Sequence, residues 1–498
     1  MPRGRLTRKI GIVALGRAAN TLAIYAVYAL AARTWDKEVC GFFQAVWVLS
    51  NTLVPIFILG LPTAVLYFFP RSNNRRELAL QSGLCLLLSG LLLSGILYWG
   101  GGALFGFLEG NPVETAPFAR YIIAFIPYVF ALVAGGCIDS LLVAGEREHW
   151  QAWLGLAAAS GLVAVSALGL TWGLSLQNVL GLFSIVGLLR LLVGYGLVRR
   201  MLGGGIWSDF GDLSALITYA KPIAFNDAVG AVSRSVDKYV VLYFFGASIF
   251  AEYQFGAVEV PISLLLAAVV TVLVPEVSQL YQEGKVEEIA ALWHRAISRL
   301  ALVALPLFFF LLFFSDSFIA WYLPAGYNDS TWVFRIFLLA LPLRCAVYNP
   351  LLVGMGKAQW ALWGSVGDLI LNVLLSLLLV DILARIWPHW AFLGPAIATV
   401  VSTYAQVFFL VGAIAWHLHW SWRRLLPWGP LGRLGLYSLL VAGGTRWLVG
   451  SLETAFYQLL LGGLVFVLGL GALLWSSRSQ RQDLRALATA FVKKGGDI

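Results

Sequence analysis

Charge is scarce in this chain. Only 12% of its 498 residues are Asp, Glu, Lys or Arg, about half the share of an ordinary soluble protein. Cysteine is scarcer still. Cys40, Cys85, Cys137 and Cys345 stand singly in apolar runs, with no C-x-x-C and no neighbouring histidine. That spacing excludes a disulfide framework and a zinc site, and each cysteine reads as a small buried apolar residue. Of the five histidines, His417 and His419 come closest together, and two without a third ligand make a weak metal site. No phosphate-cradling glycine-rich loop occurs, and no cofactor is expected. Hydrophilic sequence long enough for a separate soluble domain is missing, which leaves no place for a nucleic-acid-binding domain despite a net charge of +9.

What the chain has in abundance is apolar sequence. Hydrophobic residues make up 60% and the mean hydropathy is +0.83. A soluble fold could not hide that surface, whereas lipid can solvate it. With about 20 apolar residues needed per crossing, the sequence predicts an all-α polytopic membrane protein of about 14 transmembrane helices. They lie near 10–32, 40–62, 78–98, 119–144, 151–172, 178–198, 216–245, 253–274, 296–318, 332–354, 360–380, 392–415, 433–449 and 454–475. The basic N-terminus resembles the start of a signal peptide. The apolar run after it is longer than the roughly 7–15 residues of a signal core and contains Arg17, so it reads as an uncleaved first span.

Basic residues fall on alternate loops. Arg3, Arg5, Arg71, Arg75, Arg199, Arg200, Arg423 and Arg424 share one side with the N-terminus, and the other side holds little beyond Arg33, Lys37, Arg120 and Arg385. Basic loops stay in the cytoplasm, which predicts cytoplasmic termini and an even number of spans. The basic clusters lie next to the membrane and fit anionic lipid headgroups as partners. Between spans on the opposite side, the longest expected loop covers 99–118.

An internal repeat is visible. Residues 141–153, LLVAGEREHWQAW, align with 351–363, LLVGMGKAQWALW, at an offset of 210, with Trp150 on Trp360, Trp153 on Trp363 and Arg147 on Lys357. A second echo pairs Phe43–Val46 with Phe255–Val258 at an offset of 212. Duplication of a six-span unit predicts two parallel lobes related about the membrane normal. The expected division is 1–206 for the first lobe, 207–415 for the second, and 416–498 for two appended spans and a tail.

Ionisable groups at membrane depth are costly and point to function by default. The seventh span holds the densest set. On a continuous helix Asp227, Arg234 and Lys238 would fall within about 40° of one another, with Asp237 placed to pair with Arg234. Further polar groups at depth are Arg17 with Asn20, Asp139, Arg190, Glu259, Arg344 and Asp368. Acids and bases are nearly matched, so internal ion pairing is one reading. The other is that arginines from several spans face a cavity that receives an anionic group, because the guanidinium fork suits phosphate.

The run Ala31–Phe43 after the first span, Leu59-Gly-Leu-Pro-Thr-Ala-Val65 at the end of the second, and Val236-Asp-Lys-Tyr-Val-Val241 followed by Phe244-Phe-Gly246, Ala251-Glu-Tyr253 and Pro275-Glu-Val-Ser278 together resemble the O-antigen (Wzx-type) polysaccharide flippases of the multidrug/oligosaccharidyl-lipid/polysaccharide (MOP) exporter superfamily. The resemblance implies two lobes with alternating access in a bacterial inner membrane. The implied substrate is an undecaprenyl-pyrophosphate-linked oligosaccharide, carried from the cytoplasmic to the periplasmic leaflet. Cavity residues expected to hold it are Arg17, Asn20, Arg190, Asn226, Arg234, Lys238 and Arg344. Expected acids for H+ or Na+ coupling are Asp139, Asp227, Glu259 and Asp368. A lipid II flippase and a multidrug/cation antiporter of the same superfamily are the alternatives. A membrane glycosyltransferase or O-antigen polymerase fits less well, since neither an enzymatic acid pair nor a sizeable periplasmic loop is present.

Overall fold

The computed structural model describes residues 3–72, 74–108, 115–203, 213–258, 260 and 263–476. Every regular element among them is helical. The first six expected spans are built from α1 (Arg3–Thr34), α2 (Lys37–Phe57) with α3 (Leu61–Phe68), α4 (Arg75–Leu108), α5 (Thr115–Ala134) with α6 (Ile138–Ala144), α7 (Glu148–Trp172) and α8 (Leu176–Leu202). Then come α9 (Leu213–Ser233), α10 (Val236–Gly256), α11 (Ser263–Gln282), α12 (Val286–Phe313) and the short α13 (Ser315–Tyr322). The chain continues with α14 (Ser330–Leu338) and α15 (Tyr348–Gly354), joined by a 3-10 turn at Pro342–Ala346, and then α16 (Ala358–Ile386), α17 (Gly394–Leu418) and the single turn α18 (Trp422–Leu425). Two final helices, α19 (Trp428–Val449) and α20 (Ala455–Ser476), close the described chain.

Ten of these helical segments are long and apolar enough to cross a membrane. The remaining four expected spans correspond to α1, to α9 with the first half of α10, to the second half of α10 with α11, and to α19. Two of these carry charges that dilute apolarity: Lys221 and Asp227 on α9 with Asp237 and Lys238 on α10, and Arg433 and Arg446 on α19. Several edges differ from the sequence expectation. Most of the expected loop 99–118 is helix, because α4 runs on to Leu108. At 1.5 Å per residue α4 is about 50 Å long and outreaches a hydrocarbon layer of roughly 30 Å. The eighth span begins earlier than 253, since α10 turns at Gly246 (φ 73°, ψ −179°) and its second half already belongs to the next crossing.

The helix breaks follow from local chemistry. Asp36 caps α2 by accepting the Val39 N–H at 2.9 Å, as short acidic side chains do at N-caps. The end of α2 carries Pro55, and beyond it Leu59 (φ 58°) and Gly60 (φ 65°) are both left-handed. Position 60 needs glycine twice over. Its φ disfavours a side chain, and a Cβ there would lie 2.8 Å from the Ala220 carbonyl oxygen and the Ala224 nitrogen of α9. Ser89 of α4 donates to the Phe57 carbonyl at 2.6 Å, which satisfies an acceptor that the break would leave bare in lipid.

The repeated sequence folds into a repeated turn. After α6 the Gly145, Glu146 and Arg147 amides bond to the carbonyls of Leu141 (2.9 Å), Val143 (3.1 Å) and Leu142 (2.8 Å). After α15 the Met355, Gly356 and Lys357 amides bond to Leu351 (3.1 Å), Val353 (3.0 Å) and Leu352 (2.8 Å). Glu146 (φ 59°) and Gly356 (φ 72°) take the same left-handed place. Leucines 141, 142, 351 and 352 are all fully buried, whereas Trp153 and Trp363 are both largely exposed. Every correspondence keeps the offset of 210.

The described chain divides into two compact units, Met1–Phe255 with Asn372–Pro395, and Gly256–Leu371 with Ala396–Ile498. In the first, α1 packs on α7, α5 lies between α4 and α8, and α9 lies against α2 and α3. Its core joins Leu61, Val65, Leu86, Leu141, Leu142 and Leu154. A second nucleus centres on Trp47, whose ring meets those of Tyr28, Phe43, Phe125, Tyr128 and Phe183. Each such contact adds about 0.5–1.5 kcal/mol beyond burial. In the second unit α12 carries α19, which in turn pairs with α20. Trp293 of α12 donates to the Ala346 carbonyl at 2.7 Å and stacks on Trp420. Arg446 of α19 donates to Ser317 (3.0 Å) and Gln458 (2.9 Å), which fastens the α19–α20 hairpin to α13.

Candidate functional site

The polar centre of the first unit is the break between α9 and α10. The sequence predicts one unbroken helix here, but Arg234 and Ser235 form a turn that ends α9 at Ser233 and starts α10 at Val236. Asp227, Arg234 and Lys238 therefore do not share a continuous helical face. The expected pairing of Asp237 with Arg234 is also replaced. Asp237, 1% exposed, accepts the Tyr253 hydroxyl at 2.8 Å and takes Lys238 Nζ at 3.2 Å as its counter-ion. Lys238 donates as well to the Arg234 carbonyl at 2.7 Å, an acceptor left open by the break.

Polar pairs from α2 hold the start of α10. Thr52 donates to Ser235 at 2.7 Å and accepts the Tyr239 hydroxyl at 2.9 Å. Near the start of α2, Lys37 meets Glu252 of α10 at 2.5 Å. Between these ties the two helices touch at backbone distance, since a Cβ on Gly41 would lie 2.0 Å from the Ala247 carbonyl oxygen. Gly41 and Ala45 on α2 and Ala247 and Ala251 on α10 repeat the small-residue spacing that lets helices approach closely in lipid.

Arg234 differs from its neighbours. Its side chain is exposed and forms no ion pair or hydrogen bond with the described residues. It lies back along α9, where a Cβ on Gly230 would come within 3.1 Å of a guanidinium nitrogen, and its charge acts on Asp227 two turns earlier. Asn226 and Asn20 are exposed as well. Arg190 is engaged elsewhere, donating to Asp139 at 2.8 Å, so two residues expected to have separate roles form one pair. The other Asp139 oxygen is buried without a partner. In the second unit Arg344 and Asp368 both act on the Tyr348 hydroxyl. The Arg17 side chain and Glu259 lie outside the described residues. No group of three metal-ligating side chains occurs among the described residues, and the four cysteines form no disulfide.

Outside the spans, in the turn between α11 and α12, the Lys285 ammonium sits 2.7 Å from Glu283. Its hydrogen bond lowers the Glu283 carboxyl from its ordinary value, and the carboxylate raises Lys285. Both are exposed, where such pairs contribute little.

One contact set escaped sequence reasoning. Tyr67 of α3 stacks on Tyr219 of α9 with centroids 4.6 Å apart and planes 17° apart, Phe68 meets Tyr219 edge-on at 5.4 Å, and the Arg71 guanidinium covers Tyr67 at 4.1 Å. Two tyrosines in different spans carry no mutual signal in sequence, and only the Gly60 left-handed break hints that α3 turns toward another helix.

A family model described as "Polysaccharide biosynthesis protein" matches residues 154–331, a stretch that contains α8 to α13 and the Arg234 break. No curated protein matches the chain at a significant level. Among solved structures it resembles the lipid II flippase MurJ in an inward closed conformation, with TM-score 0.71, 13% identity, 93% of this chain and 99% of that one covered. It also resembles an inward-facing multidrug resistance MATE family transporter of the MOP superfamily (TM-score 0.62, 14% identity, 82% and 99% covered). A third similar structure is a MOP superfamily transporter from Pyrococcus furiosus with a binding pocket of reversed polarity (TM-score 0.60, 15% identity, 83% and 96% covered). At these identities the likeness is one of fold.

Proposed function

We propose that this chain, an all-α membrane protein with the fold of the MOP superfamily, is a flippase that moves a lipid-linked oligosaccharide across the bilayer. The family match over 154–331 supports a polysaccharide pathway, and the fold supports alternating access. In this reading the membrane is the bacterial inner membrane, both termini are cytoplasmic, and the two six-span halves at 1–206 and 207–415 are the moving lobes. The work is transfer between leaflets, with no bond made or broken.

The observation that carries the reading is Arg234. An exposed guanidinium at membrane depth, with no ion pair or hydrogen bond to a described residue, keeps its planar fork available for a phosphate oxygen pair. Asn226 of α9 and Asn20 of α1 are further exposed polar groups of the same unit. Arg190 and Lys238 serve as counter-ions to Asp139 and Asp237, and so contribute to the frame of the site. Asp227, beside Arg234, is the acid best placed to take a proton or Na+ when the substrate draws the guanidinium away.

The test is flipping of a polyprenyl-diphosphate oligosaccharide in proteoliposomes. Arg234→Ala should slow it about ten- to a hundredfold, the range expected for losing charge-assisted hydrogen bonds, while Arg234→Lys slows it only partly. Unchanged flipping by a folded Arg234→Ala protein sinks the assignment. The likeness to a lipid II flippase over 93% of the chain supports a second substrate, a lipid-linked peptidoglycan precursor. Competition between the two lipids in the same vesicles separates the readings.

A further inference from the structure

The junction of α3 and α9 is a firm base. Leu216 and Ala220 of α9 share one buried core with Leu61, Ala64, Val65 and Phe69, and Gly60 brings the two backbones together at Ala220 and Ala224. On that base Tyr67 stacks on Tyr219 at 4.6 Å and carries the Arg71 guanidinium 4.1 Å from its ring centre. Arg71 Nη1 also donates to the Tyr67 carbonyl at 2.6 Å. The Arg71 and Ser72 amides return to the Phe68 carbonyl at 2.9 and 2.8 Å, so backbone and side chain are both held. Yet Arg71, Tyr67 and Tyr219 are exposed. Arg71 makes no ion pair with a described residue, and neither tyrosine hydroxyl makes a hydrogen bond with one. Glu77, the carboxylate of the following turn, is occupied by the Asn74 and Gln81 amides at 2.9 Å each.

We propose that Arg71, with the Tyr67 and Tyr219 hydroxyls, is a second anion site of the first unit, which takes the diphosphate of the substrate before Arg234 does. The identity of the ligand rests on the flippase reading above. A guanidinium fixed on a ring keeps its fork for a pair of phosphate oxygens, and two phenol hydroxyls can donate to the rest. Arg75, exposed at the start of α4 and 5.5 Å from the Phe69 ring centre, makes no ion pair with a described residue either. This second positive charge favours a diphosphate over a singly charged phosphodiester. Arg71 lies past the end of the second expected span, on the side shared with the N-terminus, and the proposed substrate is drawn from that leaflet. From there α9 offers a path. At 100° per residue Asn226 and Gly230 both fall within about 20° of Tyr219 on the helix. Asn226 is exposed, and the Arg234 guanidinium reaches back to within 3.1 Å of a Cβ placed on Gly230. The two arginines thus serve opposite ends of one strip, with Tyr219 and Gly230 roughly 16 Å apart along the axis.

Binding of undecaprenyl diphosphate to the full chain in phosphatidylcholine nanodiscs tests this, in an Arg234→Ala background so that one site is read. The background protein should still bind. Adding Arg71→Ala should weaken binding about tenfold, as expected for losing charge-assisted hydrogen bonds at an exposed site, and Arg71→Lys should recover part of it. Tyr67→Phe with Tyr219→Phe keeps the stack, removes both donors and should weaken binding about fivefold. No binding in the background protein, or full-strength binding by either the folded Arg71→Ala protein or the double phenylalanine protein, overturns the site. Replacing part of the phosphatidylcholine by phosphatidylglycerol should leave binding unchanged. Displacement by phosphatidylglycerol makes Arg71 a headgroup anchor and overturns the proposal. In proteoliposomes with Arg234 restored, Arg71→Ala should raise the half-saturating concentration of the lipid-linked oligosaccharide about tenfold, whereas Arg234→Ala chiefly lowers the maximal rate. A loss confined to the maximal rate in Arg71→Ala overturns the capture role. A protein that binds undecaprenyl diphosphate through Arg71 yet flips nothing keeps the site and sinks the flippase reading alone.

Discussion

At the scale of single residues, the tightest constraint is the backbone contact at Gly41. A methyl group there would sit 2.0 Å from the Ala247 carbonyl oxygen, so Gly41→Ala must push α2 and α10 apart. Overpacking of this kind costs about 1–3 kcal/mol, and the melting temperature in detergent should fall accordingly. Gly432 of α19 has nothing within 4 Å of the corresponding position. Gly432→Ala should hold or raise the melting temperature, since glycine costs roughly 0.5–1 kcal/mol inside a helix. Equal effects of the two substitutions would contradict the contact. Residue chemistry at depth was half legible in sequence. Arg234, Asp227 and Asp139 stood out as charges in apolar runs. Which ones neutralise each other depends on α6 meeting α8 and on α10 folding back at Gly246, and no local pattern encodes either. The Tyr253 hydroxyl on Asp237 is the product of that fold-back, while Lys238 pairs with Asp237 as its chain neighbour.

At the scale of elements, the duplicated turns after α6 and α15 give a matched pair of experiments. Glu146 pays a left-handed backbone penalty that Gly356 avoids, at φ 59° and 72° respectively. Glu146→Gly should therefore stabilise by up to about 1 kcal/mol, and Gly356→Ala should destabilise by about 1–2 kcal/mol. Thermal unfolding of the two variants in one detergent would show shifts of opposite sign; shifts of the same sign would mean that side-chain contacts outweigh the backbone. The repeat itself was readable because its tryptophans and leucines are set by burial and by the interface, and these mark the same places in both copies. Interruptions of helices were less readable. Gly60 and Gly246 look like any glycine in a chain that has 51 of them, and Arg234–Ser235 contains no glycine or proline at all. That break is stabilised from outside its own segment, by Thr52 of α2 and by Lys238 reaching the freed carbonyl.

At the scale of the whole molecule, the alternation of basic loops predicts where both ends lie. A reporter fused after Ile498 should be active only in a cytoplasmic-type assay, and periplasmic activity would overturn the orientation and the even span count together. The number of spans was legible because hydrocarbon thickness fixes a minimum length for each. Each of the fourteen expected spans is marked by its own apolar run, and among the described residues ten segments meet simple length-and-hydropathy criteria. The extent of α4 was misread because a helix emerging from lipid keeps its hydrogen bonds, while hydropathy marks only the immersed part.

The discontinuity of the first unit has a consequence for synthesis. Its long segment ends at Phe255, and its completing piece is Asn372–Pro395. More than 100 residues of the other unit leave the ribosome in between. For that interval the helices up to α10 must wait in the bilayer without the piece that completes their unit. Early translation intermediates would then be the form most exposed to quality-control proteases. A chain stalled just after residue 255 should be degraded faster than one stalled after 395, even though the shorter one already carries Arg234 and every tie between α2 and the start of α10.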